Sequence, residues 1–170
     1  MRQTKLFTSS PIPAKKAHTA TKSFFRIDIV SLRLVKEKSV PYTTKQLNSP
    51  EKVVELLNCI LDFKNFDREA VVVIPVDTKL HPLGINIAHI GSLTESIAHT
   101  REIFKYAILV NAYAIFLAHN HPSGDPKPSH HDCNLTKTVK QAGDILGIKL
   151  IDHIIIAGDL YFSFKENQMI

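Results

Sequence analysis

The run AVVVIPV, residues 70–76, constrains the fold more than any other stretch of this chain. Five of its seven residues are β-branched, and no polar residue interrupts them. A strand without alternation has no face for water and must be covered on both sides, usually by helices. Pro75 stands near its end, where a missing amide is tolerated. A second such run, AIFLAHNH (Ala114 to His121), ends in histidines. A third, IKLIDHIII, precedes LYFSF across Gly158-Asp159, a hairpin-type turn.

Helical patterns lie between these strands. Ser49-Pro50-Glu51 supplies an N-cap, a proline at the first helical position and an acid in the first turn. Val53, Leu56, Leu57 and Ile60 then share one helical face. A second helix opens near Thr100, and a third runs through DCNLTKTVKQAGDILG, with Leu135, Val139, Ala142 and Leu146 at helical spacing and Gly147 placed to end it. LGINIAHIGSL (Leu83 to Leu93) alternates and is expected to pair with the first buried run across DTKLHP. FFRIDIVSLRLVKEK, from Phe24, alternates as well and reads as an opening strand. The expected order is β α β β α β α β β, an α/β fold with a mixed β-sheet flanked by helices.

The 170 residues suit one domain with an appendage, and a hydrophobic fraction of 44% argues against wholesale disorder. The net charge of +5 (pI near 9.2) arises at the front. Arg2, Lys5, Lys15, Lys16, Lys22 and Arg26 meet no acid before Asp28. Residues 1–22 are read as a flexible basic tail that could make weak DNA contact, and residues 23–170 as the folded domain. No apolar run approaches the ~20 residues needed to cross a bilayer, and no secretory signal is read at the N-terminus. Two cysteines far apart, Cys59 and Cys133, suggest a reducing, cytoplasmic setting rather than a disulfide framework.

HNHPSGDPKPSHHD (His119 to Asp132) carries the chemistry. His119 and His121 at i and i+2 on a strand point to one face, with Cα atoms roughly 6.6 Å apart. Two imidazoles so placed can share an ion at Zn–N distances of about 2.0–2.1 Å. Three prolines and Gly124 stiffen the following turn. Asp132 can return as a third, oxygen ligand, leaving a fourth position for water as in a catalytic zinc site. A rival reading exists: Ser129-x-x-Asp132 is also a capping-box-like helix start, with both side chains serving the backbone. His130 and His131 could compete as ligands but read better as solvated residues. An activated water needs a proton acceptor. Glu69, at the start of the first buried run, is a candidate; Glu55, Glu95 and Glu102 compete with it.

His119-x-His121, seven residues, then Ser129-x-x-Asp132, with a glutamate well upstream, resembles the JAMM (MPN+) metalloprotease motif. HTREIFKYAILVNAYAIFLAHNHPSGDPKPS and LGIKLIDHIIIAGDLYFSFKE are similar to the JAB domain of the bacterial RadC family, and the likeness extends over nearly all of Phe24 to Glu166. The resemblance implies an MPN/JAB fold of the cytidine-deaminase-like kind. It implies zinc held by His119, His121 and Asp132, Glu69 activating the water, and Ser129 helping to hold the tetrahedral intermediate. The implied activity is hydrolysis of a peptide or isopeptide bond in a protein or peptide substrate. Longer members carry a segment like a helix-hairpin-helix DNA-binding unit, which is not read here, and a proline common before the REIF helix is Thr100. The alternative expectation is a DNA-associated accessory module whose zinc is structural or vestigial.

Overall fold

A computed structural model describes residues 25–91 and 98–170. The chain divides after Arg33, and residues 34–170 form the larger unit. The basic stretch 1–22, Glu95, and the end of the second expected strand at residues 92–93 lie outside the described residues.

Among the described residues of the larger unit three α-helices and five strands follow the expected order: α1 (Pro50–Leu61), β1 (Ala70–Val76), β2 (Asn86–Ile90), α2 (Thr100–Leu109), β3 (Ala114–Asn120), α3 (His130–Leu146), β4 (Lys149–Ala157) and β5 (Leu160–Ser163). The strands make one mixed sheet in the order β2-β1-β3-β4-β5. The β3–β4 pair is parallel and the other pairs are antiparallel. The parallel pair is bridged by α3, as such a pair requires.

The opening strand expected from Phe24 is not formed. Residues 25–41 carry no strand, and Phe25, Ile27 and Ile29 are exposed. A period of two marks a segment that can pair, but pairing needs a neighbour to fill the strand's hydrogen bonds. That requirement is not written in the segment itself.

Each face of the sheet has its own core. Val72, Ile74, Phe116 and Ile154 pack with Val53, Leu56 and Leu57 of α1. Val71, Val73, Ile115 and Leu117 pack with Ile103, Phe104 and Ala107 of α2 and with Leu135 and Val139 of α3. All seven residues of β1 and of β3 are buried, as the unbroken apolar runs 70–76 and 114–118 require, and the burial extends to His119 and Asn120. Each such Val, Leu, Ile or Phe contributes roughly 1.5–3 kcal/mol of burial before entropy is counted. Leu146, read in the same stripe of α3, is exposed, and Gly143 makes the contact there instead. An alanine Cβ at Gly143 would stand 2.4 Å from the Ile148 carbonyl oxygen, so the missing side chain lets the end of α3 lie on the chain entering β4. Gly147 ends the helix at φ 72°, a left-handed cap.

Candidate metal centre

His119 sits near the end of β3, opposite Val71 of β1 and beside Ile155 of β4. His121 follows just past the strand, and its amide donates to the Ile156 carbonyl at 2.8 Å, which continues the sheet line. Strand alternation puts both imidazoles on the face covered by α2 and α3. Their Nε2 atoms lie 3.0 Å apart.

The proline loop then turns back. Gly124 takes φ 80°, where a side chain would be strained. The Asp125 carboxylate accepts the Lys127 amide at 2.9 Å, which tightens the turn. The turn brings the Asp125 carbonyl to 2.8 Å from His121 Nδ1. A carbonyl can only accept, so the proton of neutral His121 sits on Nδ1 and its Nε2 lone pair faces inward.

The carboxylate of Asp132 divides its oxygens, so the capping role leaves room for the metal-binding one. Oδ2 accepts the Ser129 amide at 2.7 Å and the Ser129 hydroxyl at 2.6 Å, while Ser129 Oγ accepts the Asp132 amide at 3.2 Å. That is a complete capping box, with Ser129 as N-cap of α3. Oδ1 stands 3.1 Å from His119 Nε2, and Oδ2 is 3.6 Å from His121 Nε2. The cap also orients the carboxylate, since the bonds to Ser129 leave Oδ1 turned toward the histidines.

His119 and Asp132 are buried, and the three donor atoms lie within 4.8 Å of one another. Tetrahedral bonds of about 2.0–2.1 Å would separate neighbouring donors by about 3.3 Å. The observed 3.0 and 3.1 Å are close to that, and two nitrogens with one carboxylate oxygen suit zinc and other borderline divalent ions. The residues therefore fit a metal. Burial pushes the Asp132 carboxyl up, but hydrogen bonds and charge from His119 and His121, helped by Ser129, outweigh it and hold the group well below the usual range. His121 is raised, chiefly by its hydrogen bond with Asp132 and against burial; the charge of Glu69 adds to the shift.

Glu69 immediately precedes β1. Carried two residues past its last pair, Val71–His119, the β1–β3 register would set Glu69 across from His121, and the charge of Glu69 acts on His121. It is not among the three clustered donors. Glu55 is exposed on α1, and Glu102 is engaged with Lys105 at 2.6 Å and Arg101 at 3.5 Å. His130 and His131 are exposed and take no part in the cluster.

Three residues not singled out from the sequence belong to this architecture. Asn120, between the histidines, points to the opposite face. Its Oδ1 accepts the Ala70 amide at 2.8 Å, and its Nδ2 donates to the Arg68 and Phe66 carbonyls at 3.0 and 3.3 Å. Those bonds fix the backbone on both sides of Glu69. His153 of β4 is fully buried, with Nε2 at 2.9 Å from His119 Nδ1 and its ring stacked on Phe164. Burial holds it well below the ordinary imidazole range. Thr136, one turn after Asp132, completes the group at 2.6 Å from His153 Nδ1. The available signal was the polar pair Asp152-His153 inside an otherwise apolar strand.

Residues 47–169 match the model of the RadC-like JAB domain family. A UPF0758 protein of Desulfitobacterium hafniense is 42% identical over 132 residues, covering 78% of this chain and 57% of that protein. One from Thermotoga maritima is 43% identical over 120 residues, covering 69% and 54%. One from Clostridium kluyveri is 45% identical over 109 residues, covering 64% and 48%. The chain thus spans about half the length of the curated relatives it matches.

Proposed function

The chain belongs to the RadC-like JAB domain family, and from that premise we propose that it is a JAMM-type metallohydrolase that cleaves peptide or isopeptide bonds with zinc held by His119, His121 and Asp132. One observation carries the reading: a carboxylate, Glu69, acts by its charge on His121 yet stands outside the cluster of three donors. A metal that only held the fold together would need no such neighbour. When bound, zinc supplies Lewis acidity, polarising an amide carbonyl and bringing the pKa of water from about 15.7 to about 7.

The chain's own residues do the rest. Glu69 accepts the proton of the attacking water and returns it to the departing amine nitrogen, which would otherwise leave as an unstable anion. Ser129 is the hydrogen-bond donor for the oxyanion, a contact worth about 2.7–4 kcal/mol elsewhere. Its hydroxyl is bonded to Asp132 Oδ2 at 2.6 Å, so it must turn from that carboxylate as charge builds on the substrate. The His121 ring is held by the Asp125 carbonyl throughout.

The test pairs zinc content with substrate trapping. Wild type and Glu69→Gln should each carry one zinc per chain. The Gln variant should bind a protein or peptide substrate without cleaving it, with hydrolysis down by roughly 10²–10⁴. Equal turnover in both would end the assignment of Glu69. A wild type that takes up no zinc would end the metallohydrolase reading and leave a DNA-associated accessory role to be tested by salt-dependent binding through the basic tail.

A further inference from the structure

The two histidine ligands are oriented by different means. His121 Nδ1 faces a backbone carbonyl, which admits a single arrangement. His119 Nδ1 faces another imidazole, Nε2 of His153 at 2.9 Å, and that contact by itself does not say which ring holds the hydrogen. The wrong choice would put the proton of His119 on Nε2, toward Asp132, where it would block a metal.

The ambiguity is resolved two contacts away. Thr136 Oγ1 lies 2.6 Å from the Asp132 carbonyl oxygen and 2.6 Å from His153 Nδ1. A carbonyl cannot donate, so at that distance the hydroxyl's one hydrogen must point at it; otherwise two lone-pair oxygens would be pressed together. With its hydrogen committed, the hydroxyl can only accept from His153, which places a hydrogen on Nδ1. His153 is wholly buried and stacked on Phe164, and a second proton there would bury a cation. Its Nε2 therefore offers a lone pair and accepts from His119 Nδ1–H. His119 Nε2 is thereby the nitrogen left to face Asp132 and a metal.

We propose that Thr136 and His153 are positioning residues that lock His119 in its metal-binding tautomer, through a one-way hydrogen-bond relay ending on the Asp132 main-chain carbonyl. Asp132 then serves the centre twice: its carboxylate is a ligand, and its backbone, by way of two side chains, orients another. The first turn of α3 and the end of β3 are thereby set together. The inference builds on the proposed metal site, but the tautomer is a property of the metal-free protein as well. Outer partners of this kind tune metal affinity by about 10- to 100-fold.

Thr136→Val and Thr136→Ser separate the relay from packing. Valine keeps the shape and removes the hydroxyl; serine keeps the hydroxyl and removes the methyl. Two readouts are needed: long-range ¹H–¹⁵N spectra of the imidazoles in metal-free protein, and zinc affinity by chelator competition. In wild type and Thr136→Ser, His153 should be the Nδ1–H tautomer and His119 should carry a hydrogen on Nδ1, with zinc affinities within about threefold. Thr136→Val should show mixed tautomers at His153 and zinc binding weakened by about 10- to 100-fold. A packing role predicts the reverse order, with serine the worse variant, and that result would overturn the relay. So would a wild-type His153 with its hydrogen on Nε2. If wild type takes up no zinc, the proposed function fails, while the ring spectra still decide the relay.

Discussion

Oδ1 of Asp132 lies 3.1 Å from Nε2 of His119, both groups buried, while Oδ2 of the same carboxylate is bonded to the amide and hydroxyl of Ser129. One side chain starts a helix and completes a donor set, so its two roles can be separated by substitution.

Asp132→Asn retains a side-chain oxygen for the Ser129 amide and removes the charge that faces the histidines. Zinc affinity should fall by about 100-fold or more, beyond what loss of an outer partner costs. Stability without metal should fall by about 1 kcal/mol, the scale of a weakened cap. Chelator competition and urea unfolding measure the two separately. Zinc binding equal to wild type would return Asp132 to a capping role alone.

Asn120→Ala should act on Glu69 without touching a ligand. It leaves the Ala70 amide and the Arg68 and Phe66 carbonyls without their side-chain partner. Leaving such buried groups unsatisfied costs about 1–3 kcal/mol. Zinc stoichiometry should hold at one per chain, while kcat drops roughly 10- to 100-fold as the carboxylate shifts. A variant that loses zinc but keeps its turnover per bound metal would contradict this division of labour.

Gly143→Ala tests how α3 is seated. Alanine improves helix propensity by up to about 1 kcal/mol, but its Cβ would stand 2.4 Å from the Ile148 carbonyl oxygen and 3.3 Å from Phe104 Cζ. The first neighbour is backbone and yields poorly. Overpacking of roughly 1–3 kcal/mol should win, with a lower Tm and weaker zinc binding, because the same helix carries Asp132 and Thr136. A rise in Tm would show that β4 gives way easily.

Asp152, adjacent to His153 on β4, supplies a pH signature. Burial pushes its carboxyl above the ordinary value, against hydrogen bonds from Ser163 and the Lys165 amide. The folded state then holds this proton more tightly than the unfolded chain, where Asp titrates near about 3.9. This group's contribution to stability is complete below that value and is lost as pH rises through the folded pKa. Asp152→Asn has no charge to desolvate. Urea midpoints from about pH 4 upward should show the variant gaining on wild type, and a constant gap would refute the assignment.

Much of the architecture was legible in the chain because its signals are local. The unbroken apolar runs at residues 70–76 and 114–118, the Ser-Pro-Glu start of α1 and the Gly147 stop of α3 each act within a few residues, and the elements begin and end as read, although the Ser49 side chain makes no capping hydrogen bond. The alternating segment from Phe24 shows the limit, since its pattern describes competence to pair and names no partner.

By itself the sequence determined that His119, His121 and Asp132 could meet, because i, i+2 spacing on a strand and a capping-box aspartate fix directions over distances of a few residues. Only the tertiary structure decided what surrounds them: Glu69 close enough for its charge to act on His121, Asn120 holding the backbone beside Glu69, and His153 and Thr136 in line behind His119. These residues come from β1, β3, α3 and β4, and strand register with helix packing brings them together. Register and packing are global outcomes of burying two cores at once, and no single stretch of chain contains them.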